Sequence, residues 1–279
     1  GKEVKQGVRL ESTQSYYMAV EPGEMWNRVA VIRNYIRALF QLDEHVGYVT
    51  ESWQNDDGKH LPKRGNYDRT AGRLLDELST SKEPQDVFGD YAAECGAWIR
   101  FNPLDGNGCK DENVTNYRFA LVESDSLPIP RQYDLYKELE LPIAALVHSG
   151  GKSLHAVVRI EAANMDEYRK RVDYLYTVCR RSGMEIDKQN RNPSRLSRMP
   201  GVTRNGKKQW LVATDIGKSS WQEWRDWIED LNDDLPDAEC LADVWGKLPP
   251  LADELISGVL RVGHKLLIAG PSKAGKSFL

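Results

Sequence analysis

No run of about 18 apolar residues, the length that a membrane-crossing helix needs, occurs anywhere in the 279-residue chain. The first nine residues also lack the basic-then-apolar order of a secretory signal, so the expectation is a cytoplasmic protein with no membrane partner. Cysteine is scarce. Cys95, Cys109, Cys179 and Cys240 are scattered without C-x-x-C spacing, which argues against a disulfide framework and against a compact zinc knuckle. Buried or idle thiols are the simple reading, and a long-range zinc site joining Cys95 or Cys109 to a histidine is the alternative. The five histidines include no His-x-His pair, which counts against the metal and tyrosine chemistry of a rolling-circle nickase. Internal repeats and low-complexity tracts are absent as well.

There is also no overall excess of positive charge, since the formal net charge is −4, and that would normally count against a nucleic-acid partner. The average conceals a local asymmetry. Residues 188–218 carry eight Lys or Arg against one acid, Asp215, whereas residues 219–243 carry nine acids against Arg225 alone. The basic segment suits phosphate contact, with a solvated charged face as the plain alternative, and the acidic one suits a solvated helix and connector. With 40% hydrophobic residues the chain has enough apolar mass for a sizeable core.

The polar stretch 1–25 reads as a tail. Residues 26–42 place Val29, Ile32, Ile36, Leu39 and Phe40 at helical spacing, and 70–78 read as a helix capped near Thr70. Residues 45–53 predict a strand that ends in the turn-forming stretch 55–64. Further strands are expected at 97–101, 117–122, 143–147, 153–160 and 210–214, with helices at 130–139 and 166–182 and another capped by Ser219 or Ser220. Trp221, Trp224 and Trp227 on that last helix are expected to pack onto a neighbour, with base stacking as the alternative. Hairpin-like pairs stand beside helices without strict βα alternation, which predicts an α+β domain with a mixed or antiparallel sheet and flanking helices.

The apolar strand 117–122 runs into Glu123-Ser-Asp125. Side chains alternate along a strand, so Glu123 and Asp125 project to one side, where two like charges repel unless a cation lies between them. A divalent ion held by oxygen, Mg²⁺ or Mn²⁺, suits that role, although a solvated turn carries the same pattern. Ser149-Gly-Gly-Lys-Ser-Leu-His155 leads into the next strand and places Ser153 and His155 on one side, beside Lys152 and two glycines that admit a phosphate close to the backbone. Taken alone, His155 also reads as a satisfied structural histidine. Asp187 stands after the 166–182 helix, and Asn192-Pro-Ser-Arg-Leu-Ser-Arg-Met-Pro-Gly-Val-Thr-Arg204 follows as a basic loop.

This succession, Glu-Ser-Asp, Ser-Leu-His, an isolated Asp and the Asn-Pro-Ser-Arg-Leu-Ser-Arg-Met-Pro-Gly loop, resembles the catalytic domain of archaeo-eukaryotic primases (AEP) and primase-polymerases of phages and mobile elements. The resemblance covers about residues 26–215 and is specific between 117 and 204. It implies a DNA-templated nucleotidyltransferase in which Glu123, Asp125 and Asp187 bind the catalytic metals and Lys152, Ser153, His155, Arg195 and Arg198 bind the nucleotide, an NTP or dNTP. A single-stranded DNA template is the implied partner. Glu123 departs from the commoner Asp-x-Asp and keeps the charge and the oxygen ligand.

Residues 216–245 read as a helical acidic linker. In 246–279, Gly270-Pro-Ser-Lys-Ala-Gly275-Lys276-Ser277 matches the full Walker A pattern after an apolar strand, so Lys276 is expected to reach the β and γ phosphates and Ser277 to ligate Mg²⁺. This resembles the opening of a RecA-like helicase domain, through which such proteins can assemble. Because the sequence stops at Leu279, before any Walker B strand, the expectation is a primase-helicase cut short whose ATPase part is inactive. The rival expectation is a non-catalytic replication-initiator or DNA-binding module, whose acids are structural and whose basic loop binds DNA.

Overall fold

The computed structural model describes residues 21–23, 25–186, 191–232 and 252–263. By contacts the chain divides into Gly1–Asn232 and Asp233–Leu279. The first unit contains α1 (Arg28–Leu39), β1 (Tyr48–Val49), β2 (Ser52–Gln54), β3 (His60–Pro62), α2 (Ala71–Thr80), α3 (Gln85–Phe88), β4 (Trp98–Arg100) and β5 (Tyr117–Val122). It continues with α4 (Ile129–Glu138), β6 (Ile143–His148), β7 (Leu154–Ala162), α5 (Met165–Arg181), β8 (Leu196–Arg198), β9 (Val202–Arg204), β10 (Lys207–Ile216) and α6 (Trp221–Asn232). In the second unit the described residues form one hairpin, β11 (Glu254–Ile256) with β12 (Leu260–Arg261). This is a mixed α+β architecture with antiparallel sheets, and no helix among the described residues is long and apolar enough to cross a membrane.

The central sheet has the order β5-β7-β6-β10-β9, and every pairing in it is antiparallel. Alternation along its strands builds two cores. Phe119, Leu121, Val147 and Val157 face one way, onto α1 and α2, while Ala120, Val122, Leu146 and Ala156 face the other, onto α4, α5 and α6. The helices form where apolar spacing and caps coincide: Asn27, Thr70 and Asn164 each accept a backbone N–H in the first turn of α1, α2 and α5. The 17-residue α5 also carries Asp166 and Glu167 at its start and Arg180 and Arg181 at its end, as the helix dipole favours. A second sheet, β1-β4-β8, is antiparallel too.

Strand β5 is an edge of the central sheet, and its open side is closed by side chains in place of a further strand. Asn102, fully buried, accepts from Phe119 N at 2.9 Å and donates to Phe119 O at 2.8 Å and Pro193 O at 3.0 Å. From α5 the Tyr168 and Tyr176 hydroxyls donate to Phe119 O and Leu121 O. The strand that ends at Glu123 is thereby satisfied on both sides and fixed in position.

Several local expectations change. The strand expected over 45–53 is two short ones, because β1 pairs with β4 while β2 turns away to pair with β3, and the return strand β3 falls inside the stretch read as turn. The basic loop contains β8 and β9, each too short and too rich in arginine to show an apolar pattern. Trp221 and Trp224 are buried, as packing required. Cys95 and Cys179 are buried free thiols and Cys109 is a partly buried one, whereas Cys240 lies outside the described residues.

Asn102→Ala strands the buried Phe119 N–H and removes one partner from two carbonyls, which costs on the order of 2–3 kcal/mol. Urea denaturation is expected to show a lower midpoint with an unchanged slope, and a midpoint equal to wild type would contradict this role.

Candidate active site

The register of β5 against β7 pairs Leu121 with Val157 and Val122 with Ala156, so the next pair along is Glu123 beside His155. By alternation both side chains leave the sheet on the face of Leu121 and Val157. There the Glu123 Oε2 to His155 Nε2 distance is 2.9 Å, and Arg195 Nη2 stands 3.5 Å from Glu123 Oε1. The second sheet supplies the far side of the histidine: Ser197 of β8 lies with its Oγ 3.1 Å from His155 Nδ1, and the Arg198 backbone N–H approaches the same nitrogen at 3.3 Å. Burial pushes the Glu123 carboxyl up, but the His155 ring and the Arg195 guanidinium outweigh it and bring it down to about 2. Glu123 is therefore an anion at any ordinary pH.

Asp125 is exposed and opens on the same cleft as Glu123. The repulsion expected between the two acids is offset for Glu123 by the protein's own cations, so like charge alone does not demand a metal between them. One part of the cleft, with a volume of 590 Å³, carries six cationic side chains (Lys59, Lys152, Arg195, Arg198, Arg204 and Lys207) against these two carboxylates. That surplus suits a polyanion such as a triphosphate. The other part runs past Arg180 to Glu185 and Ile186. Asp187, the next residue, lies outside the described residues, as do Gly270, Gly275, Lys276 and Ser277.

The Ser149 to Ser153 turn is built around one hydroxyl. Ser149 Oγ accepts from Gly151 N and Ser153 N, each at 3.3 Å, and stands 3.3 Å from Ser153 Oγ. Gly150 takes a φ of +69°, which favours glycine. Buried Gln132 of α4 closes the turn from behind, donating to Lys152 O at 3.0 Å and accepting from Leu154 N at 2.8 Å. His148 stacks on Trp210, with ring centroids 3.8 Å apart, and its Nδ1 accepts from Gly150 N at 3.1 Å. Arg198 is partly buried, lies over the Trp98 ring and donates to Cys95 O at 2.8 Å. Burial, then the nearby Arg204, bring its guanidinium down to about 10, which leaves it charged at neutral pH.

No family model matches the chain, and no curated protein does. Among solved structures it is similar to the AEP domain of the cyanophage S-2L primase-polymerase, at 16% identity and a TM-score of 0.47, over 72% of this chain and 96% of that one. It is similar also to the catalytic domain of primase RepB′ in complex with initiator DNA, at 17% identity and a TM-score of 0.43, over 76% of this chain and 100% of that one. A further RepB′ structure gives 17% and 0.42, over 73% and 64%. At these values the likeness carries no argument about the site, and what the site residues do has to come from their own geometry.

Glu123, Asp125, Lys152, Ser153, His155, Arg195 and Arg198 thus border one cleft although they come from three separate stretches of sequence. Sequence reasoning missed Ser197, Trp98 and Lys59. The second sheet brings Ser197 and Trp98 here and the β2–β3 hairpin brings Lys59, and no short spacing signals either. Among the described residues no group of three His, Cys, Asp or Glu side chains is gathered to hold a metal ion. The two carboxylates are oxygen donors open to the cleft, a chemistry that fits a hard divalent cation.

Burial lowers the His148 ring to about 4, and a neutral Nδ1 is what the Gly150 N–H requires. Between about 4 and its ordinary 6.5 the unfolded chain binds a proton that the folded one refuses, so this contribution to stability is complete above 6.5 and lost as pH falls towards 4. His148→Phe keeps an aromatic ring on Trp210 and is expected to lose less stability than wild type between pH 6.5 and 4 in urea titrations. Parallel pH profiles for the two proteins would contradict the assignment.

Proposed function

We propose that the protein is a DNA-templated nucleotidyltransferase of the primase-polymerase kind, which makes or extends primers in the replication of a phage or mobile element. The observation that carries this reading is the convergence of Glu123, His155 and Arg195, from three of the sequence pieces that resemble such enzymes, at 2.9 and 3.5 Å around a cleft rich in cations. A divalent ion, Mg²⁺ or Mn²⁺, would be held by Glu123 and Asp125, and in this reading by Asp187 as well. When bound it would help to activate a 3′-hydroxyl and to neutralise the leaving pyrophosphate.

The chain's own residues then have separable tasks. Ser197 fixes the His155 ring, and His155 with Arg195 orients the Glu123 carboxylate towards the cleft. Lys152 and the glycine-bearing turn before Ser153 receive the triphosphate of an NTP or dNTP, since small residues let phosphate oxygens approach the backbone and Lys152 supplies a mobile charge. Arg198 and Arg204 add fixed positive charge where negative charge grows during phosphoryl transfer. His155 Nε2 is committed to Glu123 in this structure, so a direct phosphate contact by that ring requires it to exchange partners.

With single-stranded template, labelled nucleotides and Mn²⁺, wild type is expected to incorporate nucleotide and Asp125→Ala to lose at least about 10²-fold in rate, in line with the several kcal/mol that a catalytic metal contributes. Circular dichroism and melting are expected to be unchanged, because Asp125 is exposed. A variant as active as wild type would end the assignment. Incorporation absent from wild type, with DNA binding intact, would favour a replication initiator.

His155→Ala and Arg195→Ala are expected to weaken nucleotide binding more than binding of single-stranded DNA, and normal nucleotide affinity in both would return these residues to a structural role.

The Walker A residues belong in this reading to a separate module, 246–279, opening a P-loop ATPase. Lys276→Ala is therefore expected to leave nucleotide incorporation unaltered. A strong loss would mean that the two modules act together.

A further inference from the structure

We propose that one face of the β2–β3 hairpin is an arm that holds single-stranded DNA at the mouth of the cleft, with a base stacked on Trp53 and phosphates on Lys59 and Lys63. The inference rests on the nucleotidyltransferase reading and adds to it the surface that meets the template.

The hairpin register pairs Ser52 with Pro62, Trp53 with Leu61 and Gln54 with His60. Backbone bonds extend the ladder at both ends, from Asn55 N to Lys59 O and from Lys63 N to Glu51 O, each at 3.0 Å. Alternation then divides the side chains. Trp53, Lys59, Leu61 and Lys63 share one face with Glu51 and Asn55, while Ser52, Gln54, His60 and Pro62 share the other. That other face is tied to the body of the unit, with Ser52 Oγ 3.0 Å from the buried Cys95 Sγ.

The free face has the composition of a single-strand binding surface. Trp53 is 48% exposed, the one aromatic among the large exposed apolar side chains of the described residues. An exposed indole presents a flat apolar surface that any base can stack on. Lys59 and Lys63 are exposed, and neither makes an ion pair with a carboxylate among the described residues. Glu51 on the same face and Asp56 and Asp57 at the turn are the acids nearby, and they leave this surface without a marked excess of charge. Position supplies what charge alone does not. Lys59 borders both parts of the cleft, together with Glu123, Asp125 and Arg195. A strand lying along this face therefore leads to the two carboxylates. The turn itself is well fixed, with Gly58 at φ +75° and its N–H on Asn55 O at 2.9 Å, so the arm is preorganised.

The test is fluorescence anisotropy with a short labelled oligothymidylate and the full chain. Trp53→Ala is expected to weaken binding about tenfold, within the range of one base stacked on an aromatic, and Trp53→Phe to restore most of it. Lys59→Ala combined with Lys63→Ala is expected to lower the slope of log affinity against log salt by about 1.4, two phosphates at roughly 0.7 each. Binding of a labelled nucleotide with Mn²⁺ is expected to be unchanged in Trp53→Ala. Oligothymidylate affinity equal to wild type in Trp53→Ala overturns the inference, and so does an equal loss of oligothymidylate and nucleotide binding. The underlying reading fails differently, through a wild-type protein that incorporates no nucleotide, whatever the hairpin variants bind.

Discussion

The antiparallel register of β5 and β7 decides where the chemistry can lie. With Val122 beside Ala156, the strand-end carboxylate Glu123 meets His155 on the face that also receives the second sheet. A slip of one residue would turn Glu123 to the opposite face of the sheet, under α4 and α5, and away from His155. The register is held by more than its own ladder: Asn102 closes the open edge at Phe119, Tyr176 caps Leu121 O, and Tyr136 donates to the carbonyls of both Val122 and Leu154. A second register, Ile99 with Ser197 between β4 and β8, carries Ser197 to the other nitrogen of the same histidine.

Electrostatics gives the two acids different characters. Glu123 is largely buried and held ionised by His155 and Arg195, whereas Asp125 stands in solvent at the rim of the same cleft. Buried charge is costly unless paired, so the pairing with His155 and Arg195 explains how an anion persists at this depth. The excess of cations lies along the cleft walls, and it is invisible in a net charge of −4. A cleft of this kind attracts polyanions in the concave region and leaves the remaining surface acidic.

Much of this was legible in the sequence, for local reasons. Helices α1, α2 and α5 announce themselves through apolar spacing, with caps at Asn27, Thr70 and Asn164, and β5, β6 and β7 through apolar runs that a buried sheet requires. Strand alternation alone put Glu123 with Asp125 and Ser153 with His155. What stayed hidden depends on distant partners. Strands β8 and β9 carry Arg195, Arg198 and Arg204 in or beside three-residue segments, and their pairing is fixed by Trp98 to Arg100 and by β10. The return strand β3 follows Asp56-Asp57-Gly58, so its turn was readable and its pairing was not. Lys59 reaches the acids from 64 positions away in sequence, beyond any motif.

The most direct test of the central claim is a crystal structure of the protein soaked with Mn²⁺ and a non-hydrolysable deoxynucleoside triphosphate, with Mn²⁺ located by anomalous scattering. The account predicts manganese on the carboxylates of Glu123 and Asp125, with the triphosphate along the turn from Gly150 to Ser153 and facing Arg198. Manganese absent from both carboxylates, or a triphosphate seated outside this cleft, would contradict it.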